Sequence, residues 1–184
     1  MKKERNMKIE KISEEHLETR CNWLNNPDIY KHMNMQYPIT LHETKKWFER
    51  TVINNNRIDL VFKDNEEIVS MTGLTNLDLT NGLVELYIMV NPKLQKKGYG
   101  IKSTIFTLNW AFCNYHIHKV YLYTNRNNNS ANLLYEKLGF RLEGVLRKHK
   151  FKNGQLIDRH IYGLLKEDWV QSSDFTDNIQ LNLL

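Results

Sequence analysis

The chain has 184 residues, 41% hydrophobic and 26% charged, with a formal net charge of +5 and a pI of about 9.1. That length suits one domain, able to bury about 70% of the surface its unfolded chain exposes. No run approaches the roughly 18 consecutive apolar residues of a membrane span, and the composition is that of a globular rather than a disordered protein. The basic residues are scattered apart from clusters at 93–102 and 147–152, and no helix-turn-helix, zinc-finger or RNP pattern accompanies them. No nucleic-acid or membrane partner is therefore expected, and the charge points to a pocket for a small anion. MKKERNMKIEKI at the N-terminus has no apolar segment of a secretory signal, so a cytoplasmic protein is expected. Cys21 and Cys113 stand at no metal-ligand spacing and read as buried thiols.

In chain order, 7–12 reads as a short first strand. Ser13 followed by Glu14 and Glu15 is an N-cap with acidic first-turn residues, opening a helix to about Asn25 that Asn26-Pro27 breaks. Residues 28–33 resume a short helix. Thr40 and Glu43 have capping-box spacing, and Trp47, Phe48 and Val52 give the helix behind them its apolar side. Residues 58–62, 68–77 and 84–90 form an antiparallel meander of three strands with turns at 63–66 and 80–82. In the last of these, Val84, Leu86, Ile88 and Val90 share one face and Glu85, Tyr87 and Met89 the other. Beyond Gly100, Ile101, Ile105, Leu108 and Phe112 recur at helical spacing, predicting a helix that ends near Tyr115. VYLYT at 120–124 is a further strand, 130–138 a short helix closed by Gly139, and 141–165 a long hairpin turning at Asn153-Gly154. RKHKFK within that hairpin reads as a solvated edge face or a substrate-binding strip. The domain is taken as 1–169, followed by a tail at 170–184 that is poorly ordered or docks a partner.

The chemistry concentrates at the strand-to-helix junction after Val90. Glycines there let backbone amides converge on an anion, the helix dipole favours negative charge, and Lys93, Lys96, Lys97 and Lys102 crowd the turn, so the cargo is expected to be phosphorylated. A Walker loop is excluded because Gly100 is followed by Ile101 before Lys102-Ser103 and no glycine stands at the required earlier position. A dinucleotide G-x-G-x-x-G fails because residue 103 is Ser103.

What remains, Gln95-Lys96-Lys97-Gly98-Tyr99-Gly100, resembles the coenzyme A pyrophosphate turn of the GCN5-related N-acetyltransferases. Residues 128–140, NNSANLLYEKLGF, resemble the N-x-x-A-x-x-x-Y-E-K-x-G-F signature of that family. Glu143-Gly144 and the 151–154 turn resemble its ribosomal-protein-alanine acetyltransferase branch, and the order of elements is similar over 7–169. The resemblance implies an α/β (α+β) fold with a mixed, mostly antiparallel sheet of about seven strands, splayed at the fourth and fifth, and about four helices. It implies acetyl-CoA as cosubstrate, with no metal. Met89 and Val90 fall where the splayed strand pairs its backbone with the pantetheine arm, Gln95, Lys96, Lys97, Gly98, Tyr99, Gly100 and Ile101 where amides hold the pyrophosphate, and Asn128 where an asparagine contacts coenzyme A. Tyr135 matches the tyrosine near the thioester sulfur that acts as general acid. A phenol of pKa about 10 beside a thiolate leaving group of about 8.5 can share or donate a proton in the transition state.

The base is less legible. Some members carry a glutamate on the fifth strand in the pattern V-Y-L-E, where this chain has Tyr123. Glu85, a carboxylate among apolar residues on the central strand, is one alternative, with a pKa raised if it is buried, and a water chain or binding of the neutral amine would also suffice. The implied function is acetyl transfer to a primary amine by direct attack. Residues 20–27, RCNWLNNP, resemble amino-sugar acetyltransferases of the pseudaminic-acid type as well as protein N-terminal and polyamine acetyltransferases. Trp23, Tyr30, His32 and Met33 are the expected acceptor walls, and with Asp28 the single acidic residue between 20 and 42, an amino-sugar nucleotide or peptide amine ranks above a polyamine. A polyamine or aminoglycoside acetyltransferase, or a coenzyme A-binding regulatory module without turnover, are the alternatives, and a homodimer is allowed.

Overall fold

The computed structural model describes residues 7–33, 35 and 37–171. Seven strands, β1 (Lys8–Lys11), β2 (Ile58–Asp64), β3 (Glu67–Asp78), β4 (Leu83–Val90), β5 (Lys119–Asn125), β6 (Arg141–Lys152) and β7 (Gln155–Leu165), form one sheet in the order β1-β2-β3-β4-β5-β7-β6. All neighbours are antiparallel except β4 and β5. The meander over β2, β3 and β4 is as the alternation predicts. Asn65 and Glu66 turn β2 into β3, and Asn153 and Gly154 turn β6 into β7, all four at positive φ, as two-residue hairpin turns require.

The described residues contain six α-helices: α1 (Leu17–Leu24), α2 (Pro27–Tyr30), α3 (Leu41–Val52), α4 (Tyr99–Asn114), α5 (Asn129–Lys137) and α6 (Lys166–Gln171). Four are of substantial length, and α6 is an addition to the expected set. Thr40 and Glu43 close the predicted capping box at the head of α3: Thr40 Oγ1 accepts the Glu43 amide at 3.1 Å and Glu43 Oε2 accepts the Thr40 amide at 2.8 Å. The first predicted helix divides, with a 3-10 turn at Glu14–His16 preceding α1. The expected tail lies outside the described residues from 172 onward.

Period-2 alternation in the central strands gives the sheet two apolar faces, each covered. Leu74, Val84, Leu86, Val120 and Leu122 pack with Ile105, Leu108 and Phe112 of α4 and Tyr135 of α5. On the opposite face Val61, Met71 and Met89 pack with Trp23 and Leu24 of α1 and Ile29 of α2. Cys21 is buried as expected, whereas Cys113 is exposed because it falls on the outer side of α4.

Candidate active site

β5 pairs with β4 over three residues only, Leu83–Glu85 against Lys119–Tyr121. The outer edges of both strands stay paired, β4 to β3 and β5 to β7. Beyond Glu85 the two strands therefore diverge, and the wedge between them is bordered by strand backbone at 86–90 and 122–125.

The predicted turn lies at the end of this wedge. Asn91 stops β4: its Oδ1 accepts the Lys93 amide at 3.0 Å and its Nδ2 donates to the Ile68 carbonyl at 3.0 Å. Lys96 (φ +62°) and Gly98 (φ +88°) take the left-handed conformation, and Gly98 is the N-cap of α4. The first bond of that helix runs from the Lys102 amide to the Gly98 carbonyl at 3.2 Å, so the amides of Gly100 and Ile101 have no partner inside the helix and lie at its positive end. Tyr99 turns its side chain inward, where its hydroxyl donates to Asp64 Oδ2 at 2.7 Å and pins the turn to β2. A Cβ on Gly100 would stand 3.4 Å from Val90 and 3.8 Å from Leu134, so this glycine lies between the end of β4 and α5. Gln95, Lys96, Lys97 and Gly98 are exposed. Met89 buries its side chain on the α1 side while Val90 points the other way, which leaves their backbone at the wedge. Backbone amides at a helix N-terminus, a glycine at the junction, flanking lysines and an open strand edge fit the pyrophosphate and pantetheine of coenzyme A.

Asn128 caps α5, its Oδ1 accepting the Ala131 amide at 3.4 Å. One turn on, Asn132 Oδ1 accepts from Thr124 Oγ1 at 2.5 Å and Nδ2 donates to the Arg126 carbonyl at 3.2 Å, which ties α5 to the end of β5. These bonds fix Tyr135, which is 5% exposed and meets the Phe140 ring edge-on at 5.5 Å between centroids. Burial pushes its hydroxyl pKa well above the usual phenol value, so it is protonated at neutral pH.

Glu85 points to the opposite face. Its Oε2 accepts from Asn76 Nδ2 at 2.7 Å. Burial raises the pKa of Tyr121 nearby, and the charge of Glu85 adds to the shift. The Arg159 guanidinium lies 4.6 Å over the ring of Tyr123, which stacks on His149. Tyr135 and the Glu85 side chain therefore lie on opposite faces of the sheet.

The segment from the end of α2 to Met33 meets the β6–β7 hairpin, through lysines. Lys150 donates to the His32 carbonyl at 3.2 Å and to Asn125 Oδ1 at 3.3 Å; Lys152 donates to the carbonyls of Tyr30 and Met33 and lies 3.7 Å over the Tyr30 ring. The solvated-edge reading of RKHKFK is corrected at these two positions, which are 4% and 9% exposed. An irregularity in the β6–β7 register between Leu146 and Lys150 precedes this part of the strand, which lies under α2. Burial, then the charges of Lys152 and Arg159, depress Lys150 to a pKa of about 8. Burial, then Lys31, Lys150 and Lys152, hold His32 below its ordinary value, and its Nδ1 is buried without a partner. Tyr30 donates to Asn153 Oδ1 at 3.1 Å, and Met33 packs against the same cluster as Trp23. Trp23 is core: its position on α1 turns the indole onto Val61 and Met71.

Sequence reasoning missed a polar chain across β2, β3 and β4. Asp59, Gly73 and Tyr87 stand in register, and the Tyr87 ring crosses Gly73, where there is no room for a Cβ, to donate to Asp59. The available signal was an aspartate and a glycine inside apolar strands. Among the described residues, Glu10, Glu15 and His16 could in principle hold a metal, but Lys63 already supplies a cation to both glutamates.

A family model for the acetyltransferase (GNAT) domain matches residues 6–141, well over half of the chain. The chain belongs to that family. It is an acetyltransferase with acetyl-CoA as its donor. An uncharacterized N-acetyltransferase, p20, of Bacillus licheniformis is 21% identical over 168 residues, covering 88% of this chain and 93% of its own length. The spermidine N(1)-acetyltransferase of Vibrio cholerae is 25% identical over 133 residues, covering 72% of this chain and 77% of that protein. The structure of spermidine N-acetyltransferase from Vibrio cholerae in complex with CoA and spermine superposes with a TM-score of 0.85 at 22% identity, covering 90% of this chain and 98% of that one. The acetyltransferase fold is thus as the resemblance implied, whereas the ribosomal-protein-alanine branch finds no support among these relatives. No helix among the described residues is long and apolar enough to cross a membrane.

Proposed function

We propose that this GNAT enzyme acetylates a primary amine at the β4–β5 wedge, with a polyamine as its acceptor. The observation that carries the reaction is the wedge itself, which opens beyond Glu85 and ends at the head of α4, with Tyr135 packed against one face of the sheet and the Glu85 side chain on the other face. Residues 95–101 and Asn128 hold the pyrophosphate end of acetyl-CoA, and the backbone of Met89 and Val90 pairs with its pantetheine arm. Glu85 attracts the incoming ammonium and takes its proton. The amine lone pair then attacks the thioester carbon, the C–N bond forms, the C–S bond breaks, and the second proton lost by the attacking nitrogen ends on the departing thiolate, giving the amide and the free thiol of coenzyme A. Tyr135 hydrogen-bonds the departing sulfur as charge develops there, a role that its protonated hydroxyl can fill.

The polyamine reading reverses the ranking drawn from the α1–α3 segment. It is supported by relatives whose names state an acceptor, the spermidine N-acetyltransferases, and by a carboxylate at the opening of the wedge. One observation favours a second reading. Lys150, Lys152 and Arg159 bring three cations to the acceptor side with no carboxylate within salt-bridge distance among the described residues, an arrangement suited to an amine that also carries negative charge, such as an amino-sugar nucleotide. Thiol release from acetyl-CoA, followed with spermidine, spermine, nucleotide amino sugars and peptides, separates them. The proposal requires kcat/KM for a polyamine at least about tenfold above the rest. Faster turnover of a nucleotide amino sugar overturns it in favour of the second reading.

A further inference from the structure

Arg20 lies on α1 and is 5% exposed, yet no carboxylate among the described residues forms an ion pair with it. Its Nη1 donates to the Tyr87 hydroxyl at 3.3 Å, its guanidinium carbon sits 3.8 Å over the Trp47 ring, and its Nε is buried with no hydrogen-bond partner. Asp59, the carboxylate of this network, is already committed. Arg57 grips it with Nε at 2.6 Å and Nη2 at 2.9 Å, and the Tyr87 hydroxyl donates to it as well. Two guanidiniums against one carboxylate leave one positive charge uncompensated in a buried setting, where an unpaired charge is costly.

Beside that charge is a cavity of about 250 Å³, to which Arg20 itself contributes and whose other walls include Leu24, Met35, Ile39 and Trp47. Glu43 also borders it, but is exposed and engaged in the capping box, its Oε2 accepting from the amide and hydroxyl of Thr40. The cavity thus offers apolar and aromatic surface together with a guanidinium that has no ion-pair partner among the described residues. Trp47 holds the guanidinium plane on one side, so little ordering is left for a ligand to impose.

We propose that this cavity is a binding site for a small organic carboxylate, an apolar body carrying one negative charge. The carboxylate accepts from the Arg20 guanidinium where it borders the cavity and neutralises the surplus charge. The body packs on Leu24, Ile39 and Trp47. A single guanidinium among apolar walls suits a carboxylate on a ring or short chain rather than a phosphate, which would bring more charge than the site can balance. A polyamine is excluded from it by the same charge. The site stands apart from the coenzyme A turn and does not rest on the acceptor reading above. Its occupant would touch the network that holds Tyr87, two residues beyond Glu85 on β4.

Benzoate is the probe, with benzyl alcohol and benzylamine as uncharged and cationic controls of the same shape. Binding is read by calorimetry and by the shift of the Trp47 indole N–H resonance, assigned with Trp47→Phe. Saturable benzoate binding with Kd of about 1 mM or below is expected, at least about tenfold weaker for both controls and for Arg20→Gln. Ile39→Trp, which fills the half-exposed side of the cavity and leaves Arg20 in place, is expected to exclude benzoate while coenzyme A still binds. Either control binding as well as benzoate, Arg20→Gln binding it normally with its fold intact, or no saturable binding to the wild-type protein overturns the proposal.

Discussion

Replacing Gly98 by alanine separates the backbone geometry of the cofactor turn from everything else in the molecule. Gly98 sits at φ +88°, and a Cβ built there meets nothing within 4 Å, so alanine meets no steric clash. The cost is conformational, about 1–2 kcal/mol for an L-residue held in the left-handed region. Gly154, at the tip of the β6–β7 hairpin, is a matched control at φ +77°, also with nothing within 4 Å. Both variants should lose the same stability, roughly 2–8 °C in Tm for a domain of this size. Their effects on cofactor binding should differ. Relaxation of the substituted residue toward negative φ turns the amides at the head of α4 away from the anion, so calorimetric titration with coenzyme A should show at least a tenfold rise in Kd, about 1.4 kcal/mol, for Gly98→Ala. Gly154→Ala should bind as the wild type. A folded Gly98→Ala protein with wild-type affinity, or equal losses in both variants, refutes the assignment of the turn.

Tyr135→Phe preserves the edge-on packing against Phe140 and should leave coenzyme A affinity unchanged while lowering kcat on the order of 10²-fold; wild-type kcat would assign Tyr135 to the core alone. Glu85→Gln keeps an oxygen for Asn76 but removes the charge, and kcat/KM for spermidine should fall at least about 10²-fold, whereas an unchanged value removes Glu85 from the reaction. Lys150→Met tests the buried lysine by its pH dependence. With a folded pKa of about 8 against about 10.5 unfolded, the unfolded chain binds the extra proton between those values, so this group's contribution to stability is fully present above pH 10.5 and is lost as pH falls through about 8. In urea denaturation the wild type should therefore gain on the variant as pH rises from 8 to 10.5, and parallel curves would contradict the burial of that charge.

What was legible in the sequence was what local spacing determines. The alternation over 84–90, the Thr40–Glu43 capping box and the Asn153-Gly154 turn each specify their own geometry within a few residues, and the structure has all three. The geometry of the glycine turn was legible for the same reason, since Gln95 to Gly100 is one contiguous stretch that leads into α4 with Gly98 as its N-cap. The misread residues are those whose environment comes from elsewhere in the chain. Lys150 and Lys152 look like a solvated strip because charged and uncharged residues alternate there, and it is the docking of the carbonyls of Tyr30, His32 and Met33, 118 to 122 positions away, that covers them. Trp23 looks like a pocket wall beside Asn26-Pro27, yet the apolar side of α1 takes it inward. Arg20, Arg57, Asp59 and Tyr87 come from one helix, two strands and a strand lead-in, so no spacing rule could assemble them. Ranking acceptors by the acids between 20 and 42 left out the groups that other elements supply: under the proposed function the carboxylate and cations that bear on the acceptor, Glu85, Lys150, Lys152 and Arg159, lie on β4, β6 and β7.

A crystal structure of the protein with acetyl-CoA tests the central claim most directly. The account predicts pyrophosphate oxygens within about 3 Å of backbone amides between 96 and 101, pantetheine amides paired with the backbone of Met89 and Val90, and the thioester between Glu85 and the Tyr135 hydroxyl. Acetyl-CoA bound with those amides unoccupied, or with its thioester outside the β4–β5 wedge, would contradict it.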